Sequence, residues 1–291
     1  MSTHRLLEWT AATFAVMVST DGGVIDVEQH GFAWREHRDP APEGRAPGTT
    51  VILLHGLMGS RLSWDAQLGR LGAARTVAWD MPGYGGSRPL GSSADFGNLA
   101  VAVDRFADTI GADTYHLAGI SFGGMIAQYA AANGNERVRS LSLLATSPCF
   151  GLDGTRPEEW RRARLVALDA GAEPIDLAED VLRSLGGAGI GDEALDGQVA
   201  AAGRVTAAAL RISIDCLIAH DSRELLGTIT APTLCLVGEA DNETPPSYSQ
   251  QLADHIPDAR LVTIAGAGHL LNAEAPGLVN TELRTHIEAH P

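Results

Sequence analysis

Three residues carry the chemistry open to this sequence. Ser121 lies in Gly119-Ile-Ser-Phe-Gly123, Asp241 in "GEADNETPP" and His269 in "GAGHLLNAEAP". A serine hydroxyl is a poor nucleophile until a base takes its proton. A histidine titrating near neutrality can take that proton and later hand it to the leaving group. A carboxylate behind the ring fixes its tautomer and stabilises the imidazolium. Such a set attacks a carbonyl carbon, and two backbone N–H groups must then meet the developing oxyanion. Phe122, the residue after the nucleophile, supplies one. Leu57, in the glycine-rich loop "LLHGLMGS", is the candidate for the other.

The bare Gly-x-Ser-x-Gly pattern is weak, so its flanks decide. An apolar run, Tyr115 to Ile120, precedes Ser121, and a helix-like run, Met125 to Ala132, follows it. Strand, tight turn and helix would hold the hydroxyl at a sharp bend and at a helix N-terminus, whose partial positive charge favours an oxyanion. Serine, acid and histidine also follow in the chain order that this turn predicts. Glu239 and Glu243 flank Asp241 and are alternative orienting acids. His55 is expected to hydrogen-bond structurally rather than transfer protons. Asp80, before "MPGYGGS", is expected to cap a turn.

Those residues need a frame. Six short apolar runs, "TVILLHG", "RTVAWDMPG", "TYHLAGIS", "VRSLSLLATSP", "APTLCLVGEAD" and "ARLVTIAGAGH", each close on Gly, Asp or Pro. Continuous rather than alternating hydrophobicity marks strands buried on both faces, as in a parallel sheet. Helical spacing over Asn98 to Ile110, Met125 to Ala132 and Leu278 to Ile287 alternates with them. The fold class is therefore α/β, a mostly parallel sheet flanked by helices. Upstream, "GVIDVEQHGFAWREH" reads as a hairpin around His30-Gly31, and Asp39 to Gly48 as a Pro/Gly loop. From about Ser147 to Leu226 the strand signal stops. Four helix-like segments follow, so an all-helical insertion precedes the last two strands.

Composition narrows the function. The formal net charge is −15, which argues against nucleic acid or an anionic membrane as partner. The 291 residues include no lysine, which removes Schiff-base and P-loop chemistry. Ten histidines are scattered without metal-ligand spacing, and Cys149, Cys216 and Cys235 are far apart. No metal, cofactor or disulfide framework is expected. Ala11 to Val18 is too short to span a bilayer and has no strongly basic flank. It is expected to pack as an N-terminal helix or strand, with the cytoplasm as the compartment. The expected partner is a small-molecule substrate; the sequence leaves open whether the chain is a monomer or a homo-oligomer.

Five segments carry a resemblance: "VILLHGLMGSRLSWDAQ", "VAWDMPGYGGS", "LAGISFGGMIAQYAAANGNERVRSLSLLAT", "ITAPTLCLVGEADNETPP" and "DARLVTIAGAGHLLNAEAP". Together and in this order they resemble the α/β-hydrolase fold superfamily, and within it the 3-oxoadipate enol-lactonases and related lactone and ester hydrolases. The resemblance implies a hydrolase core over 1–146 and 227–291, with 147–226 as a helical cap that shapes the substrate pocket. Asp241 matches the family spacing Gly-x-x-Asp-x-x-x-Pro. The resemblance implies a serine hydrolase cleaving a small lactone or carboxylic ester through an acyl-enzyme. Its rivals are hydrolysis of a carbon–carbon bond in a vinylogous 1,5-diketone and a non-catalytic ligand-binding role. In the cap, Trp160, Arg161, Arg164 and Arg211 are candidates for substrate binding, since an inward arginine could grip a substrate carboxylate in bidentate fashion. Residues three or four apart share a helix face, so Arg161, Arg162 and Arg164 cannot all point inward.

Overall fold

A computed structural model describes residues 23–39, 49–91, 94–187 and 190–291. The expected N-terminal element at Ala11 to Val18 lies outside the described residues, as does nearly all of the Asp39 to Gly48 loop. The chain opens with β1 (Val24–Gln29) and β2 (Phe32–Arg38), joined through His30 and Gly31. Both turn residues have positive φ, 51° and 85°, the geometry that suits a two-residue hairpin.

Six further strands match the six apolar runs: β3 (Thr50–Leu54), β4 (Arg75–Trp79), β5 (Tyr115–Ile120), β6 (Val138–Leu144), β7 (Thr233–Gly238) and β8 (Ala259–Ile264). They form one eight-stranded sheet in the order β1-β2-β4-β3-β5-β6-β7-β8. From β4 to β8 every pairing is parallel; β2 runs antiparallel to both β1 and β4. Burial on both faces explains the continuous runs. In β3, Ile52 and Leu54 join one apolar cluster while Val51 and Leu53 join the other. Helices α1 (Phe96–Ile110) and α2 (Phe122–Ala131) supply the first cluster. The last helix of the chain, Pro276–Ala289, supplies the second through Val279, Leu283 and Ile287.

Among the described residues between β6 and β7 stand four α-helices: α3 (Pro157–Asp169), α4 (Pro174–Leu185), α5 (Asp192–Ala202) and α6 (Ala207–Leu217). After β7 come α7 (Pro246–His255), one-turn α8 (Leu271–Glu274) and α9 (Pro276–Ala289). The insertion leaves and re-enters the core through two adjacent segments. Cys149 and Asp221 form an antiparallel bridge there, and the Ser222 N–H donates to the Pro148 carbonyl at 2.8 Å. Buried Gln128 of α2 links the two: its amide donates to Ser147 O at 3.0 Å and accepts from the Ser222 hydroxyl at 2.5 Å. No helix among the described residues is long and apolar enough to cross a membrane.

Candidate active site

Ser121 occupies the bend between β5 and α2 with φ 53° and ψ −119°, a conformation that costs a non-glycine residue on the order of 1–3 kcal/mol and marks functional sites. Its neighbours make the bend feasible. A Cβ on Gly119 would lie 2.3 Å from the Gly123 carbonyl oxygen, and one on Gly123 would lie 2.2 Å from that of Leu54. The backbone is secured by Ser121 N–H donating to Leu144 O at 2.9 Å and Thr146 Oγ1 donating to Ser121 O at 2.8 Å.

His269 reaches this bend from the loop after β8. Its Nε2 stands 3.0 Å from Ser121 Oγ, and its Nδ1 stands 2.9 Å from Asp241 Oδ2. The network assigns the ring proton to Nδ1, leaving Nε2 to accept from the serine hydroxyl. Asp241 and His269 are buried, 2% and 4% exposed, while Ser121 remains partly accessible. Asp241 accepts the N–H groups of Glu243 and Thr244 and the Thr244 hydroxyl, each at 2.9 Å. Glu239 and Glu243 are exposed, and Glu239 accepts from Gly266 N–H instead.

Burial opposes the charged form of each partner, but their mutual attraction wins. The His269 pKa is raised above its ordinary value and that of Asp241 is lowered, the latter helped by the Thr244 hydrogen bonds. Such an arrangement can remove a proton from Ser121 and stabilise the resulting imidazolium.

The loop after β3 lies against the bend. A Cβ on Gly56 would sit 3.4 Å from Ser121 Cβ, so the loop that carries Leu57 passes beside Ser121. Among the described residues the N–H groups of Leu57 and Phe122 have no hydrogen-bond partner. Tyr84 donates to Leu57 O at 2.7 Å and holds the next peptide of the loop. His55 is fully buried; its Nδ1 donates to Gly56 O at 2.9 Å and its Nε2 accepts from Met81 N–H at 3.0 Å. Burial lowers its pKa, so it serves as a neutral brace. Asp80 accepts from Arg61 N–H, Gly86 N–H and Arg204 Nη2 at 2.9, 3.0 and 3.1 Å. It holds its own turn and also ties the helical insertion to the sheet.

The four residues expected to bind substrate have other company. Arg161 pairs with Asp215 and Arg211 with Asp169, both at 2.5 Å, joining α3 to α6. Arg164 is exposed and lies over the Trp160 ring at 4.8 Å, and Trp160 packs edge-on against Phe150. Arg161 and Arg211 thus each have a carboxylate of the facing helix as partner, which ties α3 to α6. A small, partly open cleft of about 130 Å³ runs between α6 and the segment after β4, with Phe122, the neighbour of Ser121, in its wall. Met81, Leu90, Leu99, Phe122, Ala209 and Ser213 are among its walls, and among the described residues no charged one lines it. The sequence reading missed Thr244, Tyr84, Gln128 and Arg204. Of these only Thr244 had a local signal, three residues beyond an aspartate that could close a turn.

Residues 51–282 match the profile of the alpha/beta hydrolase family. The chain belongs to that family. It is 31% identical over 240 residues to a pimeloyl-[acyl-carrier protein] methyl ester esterase of Neisseria meningitidis, covering 77% of this chain and 88% of that one. Two solved structures share the fold. The enol-lactonase from Burkholderia xenovorans LB400 superposes with a TM-score of 0.75 at 22% identity, over 89% of this chain and 97% of that one. A thermophilic esterase from Thermogutta terrifontis gives 0.76 at 24% identity, over 97% and 100%. The family and its esterase relatives make this chain a hydrolase.

Proposed function

We propose that the chain is a serine hydrolase acting on a small, uncharged carboxylic ester or lactone through an acyl-enzyme. One observation carries this reading: the unbroken hydrogen-bonded chain Ser121–His269–Asp241 at 3.0 and 2.9 Å. Ser121 Oγ attacks the carbonyl carbon as its proton passes to His269 Nε2. The carbonyl oxygen takes the negative charge and is met by the N–H groups of Leu57 and Phe122. His269 then protonates the leaving alkoxide, and the C–O bond breaks. Water, deprotonated by His269, attacks the acyl-enzyme and frees Ser121.

The helices of 147–226 act as a cap, and the cleft under α6 receives the substrate. Its apolar lining favours an uncharged acyl or alkyl group, and the pairing of Arg161 and Arg211 argues against a substrate carboxylate at those positions. Methyl ester hydrolysis, named for the Neisseria relative, uses these same steps. The three cysteines are buried and unpaired, which suits a reducing compartment, and we place the reaction in the cytoplasm.

A fluorophosphonate probe should label Ser121, and Ser121→Ala should abolish labelling. Persistent labelling in that variant would remove Ser121 from the mechanism. A turnover screen over short-chain esters, enol-lactones and ring-fission dienones should give C–O cleavage; dienone cleavage alone would reassign the enzyme to carbon–carbon bonds.

A further inference from the structure

One carboxylate outside the Ser121–His269–Asp241 chain controls more of the site than its place suggests. Glu274 closes α8, five residues after His269, and is half-buried. Its Oε2 accepts the N–H groups of Gly268 and Gly187, each at 2.8 Å, and its Oε1 accepts the N–H of Leu270 at 2.9 Å. Between these, the His269 N–H donates to Leu185 O at 3.0 Å. All three consecutive amides around the imidazole are therefore held, two by Glu274 and one by the end of α4.

The two backbones also touch. A Cβ on Gly268 would lie 2.2 Å from Gly187 N, so glycine is needed for the approach. Leu270 packs with Ala178, Leu182, Leu195 and Ala202 of the cap.

We propose that Glu274 is a positioning residue whose single carboxylate fixes both the peptide bearing His269 and the cap at Gly187, coupling cap placement to imidazole alignment. The inference rests on His269 acting as the base. A carboxylate suits the task because it offers acceptors at both oxygens and strengthens each bond by its charge. Glutamine keeps the length but turns one end into a donor facing an N–H. Alanine removes every bond.

The test compares wild type, Glu274→Gln, Glu274→Ala and His269→Ala. The readouts are p-nitrophenyl butyrate kinetics, fluorophosphonate labelling, thermal midpoint and amide exchange. Glu274→Gln should stay folded and lose roughly 10- to 100-fold in kcat, the scale set by small misplacements of a catalytic group. KM should change less. Exchange should rise together at 185–187 and 268–270. Asp241, Glu243 and Glu274 are the acidic groups that act on His269, so loss of one charge should move the acid limb of kcat/KM to lower pH. A residue that merely holds the fold would leave that limb in place. Wild-type kcat and acid limb in Glu274→Gln would overturn the inference, as would a loss no larger than the unfolded fraction. If Glu274→Ala fails to fold, the glutamine variant decides. If His269→Ala labels at the wild-type rate, the base assignment falls and takes this inference with it. A silent His269→Ala beside unaffected Glu274 variants overturns the role of Glu274 alone.

Discussion

At the scale of residues, Asp241 shows how a site is tuned by its neighbours. Three hydrogen bonds at 2.9 Å hold its carboxylate, and His269 Nδ1 completes the set. Asp241→Asn keeps the shape but favours the wrong imidazole tautomer, so kcat should fall by roughly 10⁴; steady-state turnover checks it, and near-normal activity would return the role to Glu239 or Glu243. Thr244→Val removes one bond of the set and should cost about 1 kcal/mol, roughly fivefold in rate. The pH profile follows from the same pair. His269 must be neutral to act as base, and its pKa is raised because Asp241 outweighs the effect of burial. Activity should therefore rise with pH along a limb centred above the ordinary histidine value of about 6.5, measured as kcat/KM against pH.

At the scale of elements, the bend between β5 and α2 and the paired segments under the insertion are tightly specified. Gly123→Ala would drive a methyl group to 2.2 Å from Leu54 O, backbone that cannot move without distorting β3. The cost should reach about 3 kcal/mol, seen as a lowered thermal midpoint. The insertion depends on Gln128, which joins Ser147 and Ser222 from within α2. Gln128→Leu would remove both bonds; Ser222 Oγ keeps Pro148 O and Ser147 O keeps His220 Nε2 as partners, so the cost should be that of the lost bonds, about 1 kcal/mol each. Limited proteolysis should then cut near 147–150 and 220–223 faster than elsewhere. Unchanged cleavage would mean that the bridge between Cys149 and Asp221 suffices alone.

At the scale of the molecule, several histidines are buried in neutral form away from the catalytic candidates. Burial lowers the pKa of His116, His220 and His286 to about 4. His116 meets the Ser140 hydroxyl, His220 meets Ser147 O, and His286 donates to Leu141 O and Pro232 O at the base of the sheet. A histidine with a lowered folded pKa stabilises the fold above its unfolded value, and that contribution is lost as pH falls through the folded one. The thermal midpoint should therefore drop as pH falls from about 6.5 towards 4. His286→Gln, which keeps a donor for the two carbonyls but does not titrate, should make that drop shallower. An identical pH dependence in the variant would remove His286 from the account.

What the sequence alone determined was local. Runs of apolar residues closed by Gly, Asp or Pro predict six strands, and the structure has all six; five are buried on both faces, while β8, at the sheet edge, leaves Arg260 and Thr263 exposed. The bend at Ser121 was legible because its glycines and flanking elements are contiguous. The hairpin of β1 and β2 was legible at His30-Gly31, but the antiparallel pairing of β2 with β4 was not, since that direction depends on partners rather than on pattern. Contacts between distant residues were decided only by tertiary structure. Ser121 and His269 are 148 positions apart, and Gly187 and Glu274 are 87 apart; no spacing rule reaches that far. Arg161 and Arg211 make the same point in reverse, for their residue type suits a substrate carboxylate. Packing α3 on α6 brings Asp215 and Asp169 within 2.5 Å first, and a guanidinium takes the carboxylate that the fold places beside it.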